Sequence, residues 1–262
     1  MQALHTAATG MAAQELNVQV ISNNIANLRT TGFKKQTAAF QDLIYQHIRR
    51  VGAQSSDQGT ILPVGIDLGG GVKTVGTPRS MTQGTLSQTG NDLDVAITGE
   101  GFFKVQMPDG TFQYTRDGTF QMDNQGRIVT AAGNPVQPTI TIPNNASGIT
   151  INAQGQVSVT LPGSTNSTLL GQLALTRFIN KAGLQPVGNN QFTDTPSSGA
   201  PQDGLAGGEG YGTITQGSLE QANVDVVSEM SDLIAAQRAY EMNAKVVSAA
   251  DQMLQSTSAL FR

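Results

Sequence analysis

Two runs of apolar and small residues, one near each end of the chain, advance in steps of three and four. The first is Leu4, Ala7, Met11, Val18, Ile21, Ile25 and Leu28, with Gln14 in the gap. The second is Val226, Met230, Leu233, Tyr240, Ala244, Val247, Leu254 and Phe261, interrupted at Gln237, Asp251 and Ser258. Such alternating steps place one narrow stripe along a helix, of the kind that forms coiled coils. At ~1.5 Å per residue, helices over most of 2–29 and over 226–260 would reach roughly 40 and 50 Å. Asp225 is the predicted cap of the second, with Glu229 in its positive first turn. Ser218 with Gln221 is a weaker capping box upstream. Helices this long and this narrowly striped do not stand alone. Pairing with each other covers one face of each and leaves bands of Ala, Val, Met and Tyr for other molecules.

Between the helices the pattern changes to short alternating runs divided by turn residues: "GFFKVQ", "PDG", "TFQYT", "RDG", "TFQM", "DNQG" and "RIVT". These predict an antiparallel meander, and "TITIP", "GITINAQGQVSVT" and "LLGQLALTRFI" add three strand signals. The predicted class is therefore α+β: long N- and C-terminal helices pairing as a coiled-coil layer, with an inserted, mainly antiparallel β domain. The predicted divisions are 1–44 with 224–262 as a helical assembly domain, 45–80 as an extended linker, and 81–223 as the β domain. "TQGTLSQTGNDLDV" (82–95) resembles "TQGSLEQANVDV" (215–226), which predicts similar strands lying close together where the chain enters and leaves that domain. Segments 49–75 and 194–212, rich in Gly, Ser, Gln or Pro, read as extended connections.

Composition narrows the function. Charged residues are 13% of the chain, about half the roughly 25% usual for soluble proteins, and the net charge is -4. With no basic field to gather phosphates, nucleic acid is not an expected partner. Without cysteine there is no thiolate site or disulfide, and the two histidines, His5 and His47, form no metal motif. "DLGGGVKT" and "GEGFFK" lack the spacing of phosphate-binding loops. Asp109, Asp117 and Asp123 sit in turn signals rather than as a catalytic carboxylate pair. The reading is a non-enzyme without cofactor or metal. The amino terminus has no basic region before an apolar run, and no stretch approaches the ~18 apolar residues of a membrane span. Neither a cleaved signal peptide nor membrane insertion is expected.

One stretch resists a simple helical reading. "ISNNIANLRTTGFKK" sets Asn23, Asn24 and Asn27 among apolar residues, although the Asn amide competes for helix backbone, and then breaks at Thr30, Thr31 and Gly32. Read locally, this is a helix end with Gly32 as a plausible terminator. Its longer form, "NNIANLRTTGFKKQTAAFQDL", resembles the amino-terminal signature of the flagellar axial proteins, which comprise rod, hook and hook-associated subunits. "DLDVAITGEGFFKV", "YTRDGTF" and "DLIAAQRAYEMNAKVVSAADQML" resemble further segments of that family, and the resemblance spans essentially the whole chain. Arg29 departs from the small or polar residue frequent there. Within the family, the chain length, the segment following the signature and "SSGAP" (197–201) resemble the distal-rod group.

The resemblance implies a structural subunit of the flagellar basal body. Such a subunit is exported uncleaved by the flagellar type III apparatus and polymerises into a hollow tube across the periplasm toward the outer membrane. Its implied partners are copies of itself, proximal rod subunits, the hook or hook-junction protein, and the surrounding P- and L-ring proteins. The alternatives are a hook or proximal rod subunit, against which the segment after Tyr45 speaks, or a fibre- or adhesin-like binding protein. Aromatic content of only 5% disfavours the last. On this reading both apolar stripes are self-assembly surfaces, and Asn23, Asn24 and Asn27 face neighbouring subunits to fix register. Thr31 and Gly32 then turn the chain toward the β domain, with Phe33 as the apolar anchor.

Overall fold

The computed structural model describes residues 2–52, 63–163 and 167–260. The chain forms two units. One comprises Met1–Ile25, Gln36–Pro78 and Asp225–Arg262; the other comprises Ala26–Lys35 and Arg79–Val224. The first, the helical unit, holds helices α1 (Gln2–Ala26) and α2 (Val226–Leu260) and two strand ladders. The second, the β unit, holds the remaining strands and one short 3-10 turn, Lys181–Gly183. This arrangement is α+β, with a mainly antiparallel β region inserted between terminal helices.

In the helical unit α1 and α2 run antiparallel. Gly10 lies beside the Asn243 side chain, and 14 residues further along α1 Asn24 meets Glu229, 14 residues back along α2. The buried positions of the two helices are mainly small or polar: Ala7, Ala13 and Asn24 on α1, and Glu229, Ala236 and Ala250 on α2, with Val20 and Ile21 the larger exceptions. A Cβ at position 10 would stand 3.0 Å from Asn243 Nδ2, so a larger residue there requires that side chain to shift by a few tenths of an ångström. Four members of the stripe on α2, Val226, Met230, Tyr240 and Leu254, are exposed. Asp225 caps α2 as expected, its carboxylate accepting from Ser228 Oγ at 2.6 Å and from the Val227 amide at 3.4 Å.

The described residues at both ends of segment 49–75 enter strand ladders rather than an irregular connection. Ala39–Asp42 pairs with Val72–Gly76, and Tyr45–Arg49 pairs with Ile66–Gly69, giving an antiparallel ribbon.

The β unit is built on a sheet in which Phe102–Gln106 is central. That strand pairs with Phe112–Thr115 on one side and with Ala174–Arg177 and Val136–Gln137 on the other. Side chains alternate across it. Phe103 and Val105 are buried, Phe103 in a core with Val95, Ile97, Phe120, Ile142, Val157 and Leu175. Phe102 points the other way, into a second cluster with Tyr114, Phe178, Leu184 and Phe192. Edge-to-face ring pairs, such as Tyr114 with Phe178 at 4.7 Å, order this cluster. The predicted meander is broken at "RDG", because Phe112–Thr115 takes Gln191–Thr193 as its second neighbour and Phe120–Met122 pairs with Ile128–Thr130. "TITIP" contributes the buried Ile140 and Ile142 through an isolated bridge rather than a strand, and "LLGQLALTRFI" divides into Ser167–Gln172 and Ala174–Arg177. The two similar segments do meet: Leu86–Gln88 pairs with Ser218–Glu220, and Val95–Thr98 with Thr213–Gln216.

Truncating Phe103 to Ala should cost about 3–5 kcal/mol in denaturant unfolding of the β unit. Phe112, exposed beneath the Lys104 ammonium, should cost only about 0.5–1 kcal/mol. Burial, reinforced by Asp194 and Asp203, pushes the Tyr114 phenol up to about 12 from 10.0. An acid held neutral by the fold adds nothing below pH 10, and stability then falls as the unfolded chain ionises between pH 10 and about 12. Tyr114→Phe should abolish that part of the decline and the matching absorbance step at 295 nm.

Candidate assembly site

The helical unit carries an unusual share of apolar surface. On α2, Val227 (74% exposed), Met230, Ile234, Met242 and Met253 face water. On the ribbon, Ile44 (91%), Val64 (73%), Val51, Ile48, Ile66 and Leu68 do the same. An isolated two-stranded ribbon is marginally stable in water, and one lined with exposed aliphatics on top of that is suited to association. Among the described residues it has several fixed points. Thr9 Oγ1 accepts from the Val72 amide at 3.4 Å, Gln2 bonds Gln46, and His47 Nδ1 lies 2.6 Å from Asp67 Oδ1 across the ladder. Beside the first turns of α1 are two mainly apolar hollows of about 370 and 500 Å³, sharing Gln2, Thr6, Leu68 and Gly69.

Leu4, Met11, Val18 and Ile25 on α1, and Leu233, Ala244 and Val247 on α2, are half-buried. Ala7 and Ile21 are buried within the chain. Phe261 lies outside the described residues. Leu28 is half-buried in the turn after α1, which ends at Ala26 rather than near 29.

The asparagines divide in a way the sequence reading did not anticipate. Asn23 is exposed, whereas Asn24 is 1% exposed and its amide is used within the chain. Asn24 Nδ2 donates to Gln36 O (2.8 Å) and Glu229 Oε2 (3.0 Å), and Oδ1 accepts from the Gln36 amide (2.9 Å). The expectation that Asn24 faces a neighbouring subunit is therefore corrected. Because Asn24 is buried beside Glu229 in the first turn of α2, it fixes the register of α1 on α2. Asn27 is half-buried, with Oδ1 accepting from Thr30 Oγ1 at 3.2 Å and its carbonyl from the Thr30 amide at 3.1 Å.

Residues 26–35 belong to the β unit as a strap held by polar groups, and Phe33 within it is half-buried. Thr31 Oγ1 donates to Asp117 Oδ1 at 2.9 Å, and Asn190 Nδ2 donates to Thr31 O at 3.1 Å. Gly32 does not terminate α1, which ends six residues earlier. At φ +67 it donates its amide to Glu220 O at 2.8 Å, and a Cβ there would stand 2.8 Å from the Arg116 backbone. Lys34 is buried and donates to Glu220 Oε1 (2.5 Å) and Thr82 O (2.8 Å). Glu220 also accepts from the Gly84 amide (2.9 Å) and Arg116 Nη1 (3.2 Å), and Arg116 Nη2 donates to Gly99 O (2.7 Å). Burial lowers the Lys34 pKa against the pull of Glu220. A buried Lys–Glu–Arg trio is costly to assemble and more costly to break.

A hollow of about 360 Å³ beside the strap is lined by Asp117, Thr119, Asn189 and Asn190 among others. Asp117 is a clamp there: besides Thr31 it accepts from the Thr119 amide and hydroxyl and from Asn190 Nδ2. Lys34, Arg116, Glu220 and the bonding role of Glu229 were not singled out from sequence. The available signal was Glu220 within the repeated segment, where a charge occupies a position matched by Ser87.

Three family models match the chain: "Flagella basal body rod protein" over residues 4–34, "Flagellar hook protein FlgE/F/G D1 domain" over 96–159, and "Flagellar basal body rod FlgEFG protein C-terminal" over 215–260. Among similar proteins, Flagellar basal-body rod protein FlgG of Caulobacter vibrioides is 53% identical, covering 99% of each chain. The proteins of that name from Agrobacterium fabrum and Bacillus subtilis are 48% and 36% identical, each covering 97% of both chains. The chain belongs to the flagellar basal-body rod protein family. Both buried polar clusters join the two rod-family end segments, since Asn24 and Lys34 lie in 4–34 and Glu229 and Glu220 in 215–260.

Asn24→Leu removes the bonds from Asn24 to the Gln36 amide and carbonyl and to Glu229, and should cost about 1–3 kcal/mol. Glu229→Gln keeps an acceptor for Asn24 and should be milder. Chemical denaturation of assembled polymer, followed by circular dichroism at the helix band, would order the two variants.

Proposed function

We propose that this chain is a structural subunit of the distal part of the flagellar rod, polymerising through α1, α2 and the ribbon into a rigid hollow helical tube. The tube acts as a drive shaft, joining the proximal rod to the hook and transmitting torque. The observation that carries this reading is the apolar surface exposed on α2 and the ribbon of a unit whose internal seam is small and polar. Contacts between unlike faces of identical subunits, repeated without closing, generate a helical filament. No helix among the described residues is long and apolar enough to cross a membrane. Membership of the rod family supports assembly with other flagellar components. The finer partners we assign are proximal rod subunits, the hook or hook-junction protein, and the P- and L-ring proteins around the tube. Delivery is by the flagellar type III apparatus into the periplasmic space, and the role is mechanical rather than catalytic.

Purified monomer should gain helix by circular dichroism on polymerising, and equal helix content in both states would count against the assignment. Ile48→Asp with Val64→Asp should raise the critical concentration about tenfold or more, since ~1.4 kcal/mol per subunit suffices. Deleting residues 49–75 should give polymers that bend in negative-stain images. Straight, equally stiff tubes from that deletion would sink the claim that the ribbon supplies rigidity.

A further inference from the structure

The strap, residues 26–35, and the strand that receives it lie at opposite ends of the sequence of the β unit. Lys34 and Glu220 are separated by 186 positions, and their side chains are 1% and 0% exposed. Three strap bonds end on residues 220–223: Gly32 N–H on Glu220 O, Lys34 Nζ on Glu220 Oε1, and Lys35 N–H on Asn223 Oδ1 at 2.7 Å. Arg116, 3% exposed by side chain, already occupies the same pocket. If Lys34 docked before Glu220 were in place, an ammonium would be buried beside a guanidinium with no carboxylate between them, which a low-dielectric interior strongly opposes. The reverse order has no such obstacle. Arg116 and Glu220 form a balanced pair without the strap, and the strap then adds its cation to an existing anion.

We infer that the strap is a closing latch, locked by charge to dock only once the strand Ser218–Glu220 has paired with Leu86–Gln88. The β unit therefore completes itself only when nearly the whole chain is available. A chain made from its amino terminus keeps the residues around Lys34 undocked until residue 220 has emerged. This property concerns folding order and stands apart from the mechanical role proposed above.

Pulse-labelling hydrogen exchange during refolding of the unaltered full chain tests the order directly. Peptides covering 27–36 should gain protection together with, or after, those covering 217–221. Protection of 27–36 before 217–221 would overturn the latch. Two variants test the docking at equilibrium, the first through charge and the second through sterics. Glu220→Gln should reduce protection of 27–36 at least tenfold while that of the strand Phe102–Gln106 changes by less than about threefold, and Gly32→Ala should do the same by excluding the strap sterically. Unchanged protection of 27–36 in both variants, or equal loss in the strap and in Phe102–Gln106, would refute it. Should Glu220→Gln fail to fold, Gly32→Ala and the refolding order decide.

Discussion

A carboxylate taken wholly out of water costs several kcal/mol unless its charge and its lone pairs are met, and Glu220 is such a group. The β unit meets it from three directions: Lys34 from the strap, Arg116 from the end of the strand Phe112–Thr115, and the Gly84 amide from the segment before Leu86. The two cations also have other duties that hold their own segments. Arg116 reaches Gly99 O and lies 5.3 Å from the Phe102 ring, and Lys34 reaches Thr82 O. The closure of the unit is thus tied to one side chain whose loss would strand two cations. Hydrophobic burial supplies most of the cohesion, but it is indifferent to which strand end lies where. The trio makes that distinction.

The helical unit uses the same division of labour with different residues. Gly10 beside Asn243 would tolerate a slip along the axis, because small residues recur along both helices. Asn24 would not tolerate it. Its amide has to find both the Gln36 backbone and the Glu229 carboxylate, and only one alignment offers both. A single buried polar residue setting helix register at some cost in stability is well attested in coiled coils. Here the register is set between two helices of one chain, which leaves the larger apolar residues of α2 outside the seam.

That distribution explains what could be read from the sequence. The terminal helices and the β character of the middle were legible because periods of 3.6 and 2 are local properties, and the echo between 82–95 and 215–226 correctly foretold paired strands. The inner face of α2 was not legible. Hydropathy favours Met230, Tyr240 and Leu254, whereas the face that packs within the chain is marked by Ala236, Ala250 and a glutamate. The ribbon was hidden for a related reason: with both faces exposed it has no alternation, and its strands pair across an intervening stretch. Glu220 looks like an ordinary surface charge in a short strand until Lys34, 186 positions away, is brought to it.

The stretch "ISNNIANLRTTGFKK" shows why a polar run can be more constraining than an apolar one. Asn24 is fixed to Gln36 and Glu229 in the helical unit, while Thr31, Gly32 and Lys34 are fixed to Asp117 and Glu220 in the β unit. Between them lies only a turn, closed by Thr30 on Asn27. An apolar side chain at any of these positions could find several acceptable surroundings, but each of these donors has a particular acceptor. Where a chain passes from one folded unit to another, the two cores exert no common hydrophobic pull on the connecting residues. Directed hydrogen bonds and ion pairs are the interactions able to define their path, which is why the residues least suited to a helix occur where the helix has to end.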